Sequence, residues 1–278
     1  MRFGPIAFFV FFICIGPLAA QDHDQVVRVP GPNGSTLVTT VMRPPGDGKH
    51  PLVVINHGSP PNGSVRLKME RPRFPNLSSW FLSRGYVVAL PLRRGYGETG
   101  GAWGERYGSC EEPDYYNAGL QGAADIQATI DYMRTQPYVA ADRTIVVGQS
   151  AGGWASIALS SRNPPGVAGM INFAGGRGAH QPQKGGGTGN CTPSALVEAA
   201  TKYGTTARVP MLWIYTENDS YFEPSLVKRM VDAYVGAGGK ATYKPLGPSG
   251  RDGHNLVRSR DGNSVWGPLI ESFLAGLN

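Results

Sequence analysis

The residues Gly148-Gln149-Ser150-Ala151-Gly152 have the types and spacing to present a serine hydroxyl as a nucleophile. They follow Thr144-Ile145-Val146-Val147, a β-branched run, and precede an apolar stretch, Ala151 to Ser161, with helical character. The order is strand, sharp turn, helix. A turn this tight strains the serine backbone and tolerates no bulky neighbours, a condition that Gly148 and Gly152 meet. Ser150 then stands at a helix N-terminus, where the dipole and free N–H groups favour developing negative charge. The chemistry this suits is attack of a hydroxyl on a carbonyl carbon, with a histidine base and a carboxylate to orient it. With 39 glycines in 278 residues the string alone says little, and its place between strand and helix carries the weight.

The elements that must position such a group follow from the hydrophobic pattern. Val26 to Val29 and Thr36 to Met42 flank Gly31-Pro32-Asn33-Gly34 and predict a hairpin. Further strands are expected at Pro51 to Asn56, Tyr86 to Leu90, Thr144 to Val147, Val167 to Phe173, Met211 to Tyr215 and Ala241 to Lys244. Helices are expected at Leu77 to Arg84, Tyr115 to Arg134, Ala151 to Ser161, Glu223 to Ala237 and Val265 to Leu277, with Ile126, Ile130 and Met133 on one face of the second. Strands that are apolar throughout and alternate with helices predict an α/β fold, a mostly parallel sheet of the eight-stranded type with helices on both faces. Sites in such sheets lie in loops beyond the carboxyl ends of the strands.

The Gly148 to Gly152 turn, His57-Gly58 after the third strand, Asn218-Asp219 and Asp252-Gly253-His254 resemble the α/β-hydrolases over about residues 36–277. Within that superfamily the chain is most similar to secreted dienelactone-hydrolase-like serine esterases, with some likeness to prolyl-oligopeptidase catalytic domains. True dienelactone hydrolases typically use cysteine as nucleophile. Ser150 departs from that pattern and does not carry the dienelactone substrate over. The resemblance implies a catalytic triad and a carboxylic ester hydrolase of carboxylesterase type. A serine peptidase of the prolyl-oligopeptidase type is the alternative, and a noncatalytic binding protein is a third reading.

Five histidines compete for the base. His23 lies near the N-terminus, His50 precedes its strand, and His57 sits on the turn that the fold uses as oxyanion scaffold. His180 lies in a glycine-rich excursion. His254 follows the last strand and precedes the last helix, where the fold's base belongs. For the orienting acid, Asp219 lies four residues past Tyr215 and matches the family's aspartate loop; Glu217 is the runner-up, and Asp252 is too near His254 in the chain. The two oxyanion donors are expected to be the Ala151 amide and the Ser59 amide, with Pro60 and Pro61 stiffening the latter's loop.

Arg2, the apolar run from Ile6 to Ile15 and Leu18-Ala19-Ala20 form a secretory signal pattern, so residues 1–20 are expected to leave and residues 21–278 to form one exported domain, periplasmic or secreted. No later segment approaches the length of a membrane span. The formal charge of +6 is spread along the chain, and its one cluster (Arg66, Lys68, Arg71, Arg73) is diluted by Glu70, which fits a solvated loop rather than nucleic acid. Cys110 and Cys191 remain after export and predict a disulfide, whose loop corresponds to about 4.5 kcal/mol by chain entropy, with two free buried thiols as the alternative. The histidines lack ligand spacing and the chain has no nucleotide-binding glycine motif, so no metal and no cofactor is expected. The expected partner is a small-molecule ester.

Gly97 to Asp114 and Gly175 to Asn190 both leave strand ends and should rim a pocket, tied by the disulfide. Trp103, Tyr107, Tyr221 and Phe222 are candidates to line it, each also suited to ordinary packing, and Trp154 is expected in the core. Arg94 is suited to hold a substrate carboxylate or, more simply, to form an internal ion pair.

Overall fold

The computed structural model describes residue 1 and residues 24–60, 62–182 and 188–277. The expected signal segment, apart from Met1, and with it His23 and Pro61, lies outside the described residues. The chain runs β1 (Gln25–Pro30), β2 (Thr36–Met42), β3 (His50–Asn56), α1 (Gly63–Leu67), α2 (Pro75–Leu82), β4 (Val87–Leu92) and α3 (Tyr115–Arg134). It continues through β5 (Val139–Gln149), α4 (Ala151–Ser160), β6 (Val167–Phe173), a two-residue pair β7 (Gln181–Pro182) and β8 (Thr188–Gly189), and α5 (Pro193–Gly204). It ends with β9 (Met211–Thr216), α6 (Pro224–Gly236), β10 (Ala241–Leu246) and α7 (Gly262–Ala275).

Eight strands form one sheet in the order β1-β2-β4-β3-β5-β6-β9-β10. β1 pairs antiparallel with β2 and β2 antiparallel with β4, while every other pairing is parallel. The central strands β4 and β9 are buried at every position, as a sheet covered on both faces requires. One face packs against α3, α4, α5 and α6 through residues such as Ile126, Trp154, Tyr203 and Met230. The other packs against α2 and α7 through Phe81, Trp266 and Ile270. Trp154 is in the core and fully buried.

Three differences from the sequence expectation have local causes. Helix α5 was not expected: its apolar positions Leu196, Ala199, Ala200 and Tyr203 keep helical spacing, but it starts at Pro193, three residues beyond the end of a glycine-rich stretch that closes at Asn190. The short α1 is capped by Asn62, whose side chain accepts from the Val65 amide, and it is too short for any periodicity to show. His50 opens β3 rather than preceding it, still at the amino end, with Nδ1 3.1 Å from the Gly85 carbonyl.

The β5-to-α4 turn is the tightest junction. A Cβ on Gly148 would lie 2.2 Å from the Gly152 carbonyl oxygen, and one on Gly152 would lie 2.4 Å from the Asn56 carbonyl oxygen. These obstacles are backbone and cannot rotate away. Gly148→Ala is therefore expected to displace α4 and cost about 2–3 kcal/mol, read as a Tm lower by roughly 5–10 °C in thermal circular dichroism.

Candidate active site

Ser150 caps α4 with φ 55° and ψ −120°, a left-handed conformation that a residue bearing a Cβ rarely adopts. Three backbone hydrogen bonds hold it there: its N–H donates to Phe173 O (2.9 Å), and its carbonyl accepts from Trp154 N (2.9 Å) and Gly176 N (3.3 Å). The hydroxyl is thereby turned out of the sheet, onto the walls of two adjoining cavities. The first, of about 250 Å³, is bounded by Ser150, His254, Tyr221, Val65, Met69 and Arg258. The second, of about 120 Å³, is bounded by Ser150, Ala151, Trp103, Tyr107, Arg177 and Phe222. Ser59 and Tyr221 belong to both walls.

His254 follows β10 in a 3-10 turn and is 6% exposed. Its Nδ1 lies 3.0 and 3.2 Å from the two carboxylate oxygens of Asp219. Asp219 Oδ1 also accepts from the amides of Tyr221 (2.8 Å) and Phe222 (3.1 Å), which fixes the carboxylate's orientation. The Tyr221 ring stacks on the imidazole at 3.9 Å and 21°. With Nδ1 bound, Nε2 is the nitrogen left for the cavity. Ser150 and His254 meet across that cavity with no direct hydrogen bond between them among the described residues, as is common before substrate closes such a site.

The other two carboxylates weighed for the orienting role lie elsewhere. Glu217 is exposed and borders a separate groove beside Tyr243. Asp252 accepts from the His254 backbone amide (3.0 Å) and from Ser220 N and Oγ, so it braces the loop rather than the ring.

His57 has no access to the cavity chemistry. It is fully buried, and its Nε2 accepts the Arg93 backbone N–H at 3.1 Å, so the ring proton sits on Nδ1 and is donated to Gly58 O at 2.7 Å. Burial first, then the nearby Arg93 charge, push its pKa well below the usual histidine value and keep it neutral. The consequence is geometric. A trans peptide points its C=O and N–H in opposite directions, so clamping the Gly58 carbonyl aims the Ser59 N–H away from His57. This turn stands over Ser150: a Cβ on Gly58 would lie 3.1 Å from Ser150 Cβ.

Behind that turn lies an arginine network whose roles the sequence pattern did not reveal. Arg93 Nη1 donates to His57 O (2.7 Å) and its Nε pairs with Glu105 at 2.5 Å. Glu105 Oε2 also accepts from Arg177 Nη1 (3.0 Å) and from the Tyr96 hydroxyl (3.0 Å), and the Glu105 carbonyl accepts from Arg177 Nη2. Burial alone would raise the Glu105 pKa, but the two guanidiniums outweigh it and hold the carboxyl at about 2. Arg94 forms an internal ion pair, with Nε 2.5 Å from Asp125 Oδ1. Of the expected basic cluster, Arg71 pairs with Glu98, Arg73 with Asp24, and Arg66 lies over the Trp103 ring.

Cys110 and Cys191 form a disulfide that joins the loop after β4 to the segment after β6. Tyr115 Oη donates to Cys191 O and Thr192 Oγ1 to Cys110 O, so the crosslink is tied down on both sides. All four aromatic residues weighed for the pocket, Trp103, Tyr107, Tyr221 and Phe222, line the second cavity. Among the described residues no three His, Cys, Asp or Glu side chains are grouped to hold a metal, and no helix is long and apolar enough to cross a membrane.

Comparison with known proteins agrees with this architecture. Residues 72–168 match the family model described as the prolyl oligopeptidase family. Dipeptidyl-peptidase 5 of Porphyromonas gingivalis is 29% identical over 146 residues, 51% of this chain, and the matched stretch is only 20% of that protein's length. A putative dienelactone hydrolase from Klebsiella pneumoniae superposes with a TM-score of 0.62 at 15% identity, covering 90% of this chain and 97% of its own. Porphyromonas gingivalis dipeptidyl peptidase 4 gives 0.62 at 18% identity over 92% of this chain and 35% of its own. The chain has the α/β-hydrolase fold. The chain places its candidate residues after β3, β5, β9 and β10, all at the carboxyl edge of the sheet.

Two outcomes are expected. Because the Glu105 pKa is depressed in the folded chain, its ionised form stabilises the fold fully above about pH 4.5, and that contribution is lost as pH falls toward 2. Thermal melts should show a steep loss of Tm across that window, and Glu105→Gln should flatten it while lowering Tm at neutral pH. Reduction of Cys110–Cys191 should raise hydrogen exchange in residues 97–114 and 175–182 while the sheet stays protected; simultaneous loss of protection in both would contradict a crosslink that serves the rim.

Proposed function

We propose that this chain is an exported serine hydrolase that cleaves carboxylic esters through an acyl-enzyme. The observation that carries the reading is Ser150 on a left-handed turn at the head of α4, sharing a cavity wall with an imidazole whose other nitrogen is bound to Asp219. In this mechanism Ser150 Oγ attacks the ester carbonyl carbon while His254 Nε2 takes its proton. The carbonyl oxygen becomes an oxyanion, met by the N–H groups of Ala151 and Ser59. The C–O bond to the leaving group then breaks, and His254 returns the proton to the departing oxygen. Water, deprotonated by His254, attacks the acyl carbon and releases the acid and Ser150. The disulfide supports an oxidising compartment, in keeping with the leader pattern.

Peptide cleavage is the second reading, favoured by the prolyl oligopeptidase family match and by the dipeptidyl-peptidase relative. Recognition of a free peptide amino terminus calls for a carboxylate to receive the ammonium group. Among the described residues neither cavity wall carries an aspartate or glutamate, while Arg177 and Arg258 bring positive charge to them. That balance favours esters over peptides with free amino termini.

Purified protein should hydrolyse p-nitrophenyl acetate and butyrate with kcat/KM well above that for dipeptide p-nitroanilides. Ser150→Ala should lower ester turnover on the order of 10⁴-fold or more, and Asp219→Asn about 10⁴-fold by disturbing the imidazole's tautomer. Undiminished activity in Ser150→Ala eliminates both readings; a preference for the anilides selects the peptidase.

A further inference from the structure

Arg177 follows Gly176, whose amide bonds the Ser150 carbonyl, so it stands beside the nucleophile's own turn. It is 5% exposed and lines the second cavity. Among the described residues its charge is not cancelled. Glu105 is the carboxylate it meets, and Glu105 is shared with Arg93, so two guanidiniums face one carboxylate and the cluster keeps one positive charge in excess. The neighbouring Arg94 and Asp125 neutralise each other and leave that excess unchanged. Among the described residues Arg177 Nε, moreover, is buried without an acceptor. A guanidinium offers five N–H donors in a planar fork, and one buried with spare donors and uncompensated charge is suited to a planar anion.

The surroundings of that charge are aromatic. The Arg177 guanidinium carbon lies 5.4 Å from the Trp103 ring centre and 5.5 Å from that of Tyr107. Trp103, Tyr107 and Tyr221 are half-buried and open onto the cavity, with Phe222 buried behind. Such walls suit a flat ring. The two cavities also differ in their reach to the base: His254 borders the first and is absent from the wall of the second. Since the base must return its proton to the leaving oxygen, the leaving alcohol belongs in the first cavity and the acyl group in the second.

We propose that the acyl group taken by this site is an aromatic ring bearing a free carboxylate, so that the substrate is a monoester of an aromatic dicarboxylic acid, its ring between Trp103, Tyr107 and Tyr221 and its carboxylate on Arg177. This rests on the hydrolase reading above. The free carboxylate supplies the charge the arginine cluster lacks, and the ring bridges from Arg177 to the carbonyl presented to Ser150.

The test compares monomethyl terephthalate with the methyl ester of terephthalamic acid, which has the same shape but no charge. The unmutated protein should prefer the carboxylate by about 10- to 100-fold in kcat/KM, the size of one charge-assisted hydrogen bond. Arg177→Gln should bring that ratio close to one, and Arg177→Lys should leave it intermediate. A ratio near one in the unmutated protein, or one that Arg177→Gln does not change, overturns the proposal. Should the variants fail to fold, inhibition of p-nitrophenyl acetate hydrolysis in the unmutated protein decides. Terephthalate should inhibit at lower concentration than the neutral terephthalamide, and equal inhibition overturns the assignment. If p-nitrophenyl acetate itself is not cleaved, the hydrolase reading falls; if it is cleaved without discrimination between the two methyl esters, only the acyl assignment falls.

Discussion

The left-handed backbone at Ser150 is the constraint on which the rest of the site depends. A side-chain-bearing residue at φ 55° is strained, and it persists only where its surroundings leave no alternative. Here the alternatives are closed by backbone approaching backbone: Gly148 against Gly152, Gly152 against Asn56, Gly153 against Gly175. The strained turn thus locks the ends of β3, β5 and β6 to one another. Those strands release the chain segments bearing Ser59, Ser150 and Arg177, so a single point of crowding sets their mutual positions.

Electrostatics in the site divide into two regimes. On the His254 side, Asp219 is surrounded by N–H donors and faces one imidazole, a compact arrangement suited to moving a proton. On the other side, Arg93, Glu105 and Arg177 form a buried relay from the turn bearing Ser59 to the rim after β6. Removing Glu105 from such a relay leaves two buried cations without their shared partner, which is costly in a way that replacing a surface ion pair is not. Arg93 and Arg94, adjacent in the chain, part company at the end of β4: one supports the turn bearing Ser59 and the other pins α3 through Asp125.

Much of this was legible in the sequence because its signals are local. The spans Tyr115–Arg134 and Val167–Phe173 agree with the helix and strand expected there, since apolar spacing and β-branched runs act over a few residues. The strand-turn-helix around Ser150 was legible for the same reason. What could not be read was pairing at a distance. Glu105 meets partners 12 residues before it and 72 after it, and nothing in its neighbourhood marks it out. Arg177 carried one signal, a charged residue among glycines directly after a strand, but its charge excess exists only once Arg93 arrives at the same carboxylate. Helix α5 was lost behind the glycine run that precedes it.

The disulfide also bears on how such a protein can diversify. Cys110 and Cys191 stand 4.8 Å apart at Cα and enclose α3, β5, α4, β6, β7 and β8 in one covalent ring. Residues added to the span between β4 and Cys110 enlarge a mouth whose far edge stays anchored at a fixed point. The two lips of the entrance therefore share one fixed point, and a change of length on either side moves its lip about that point without separating the pair.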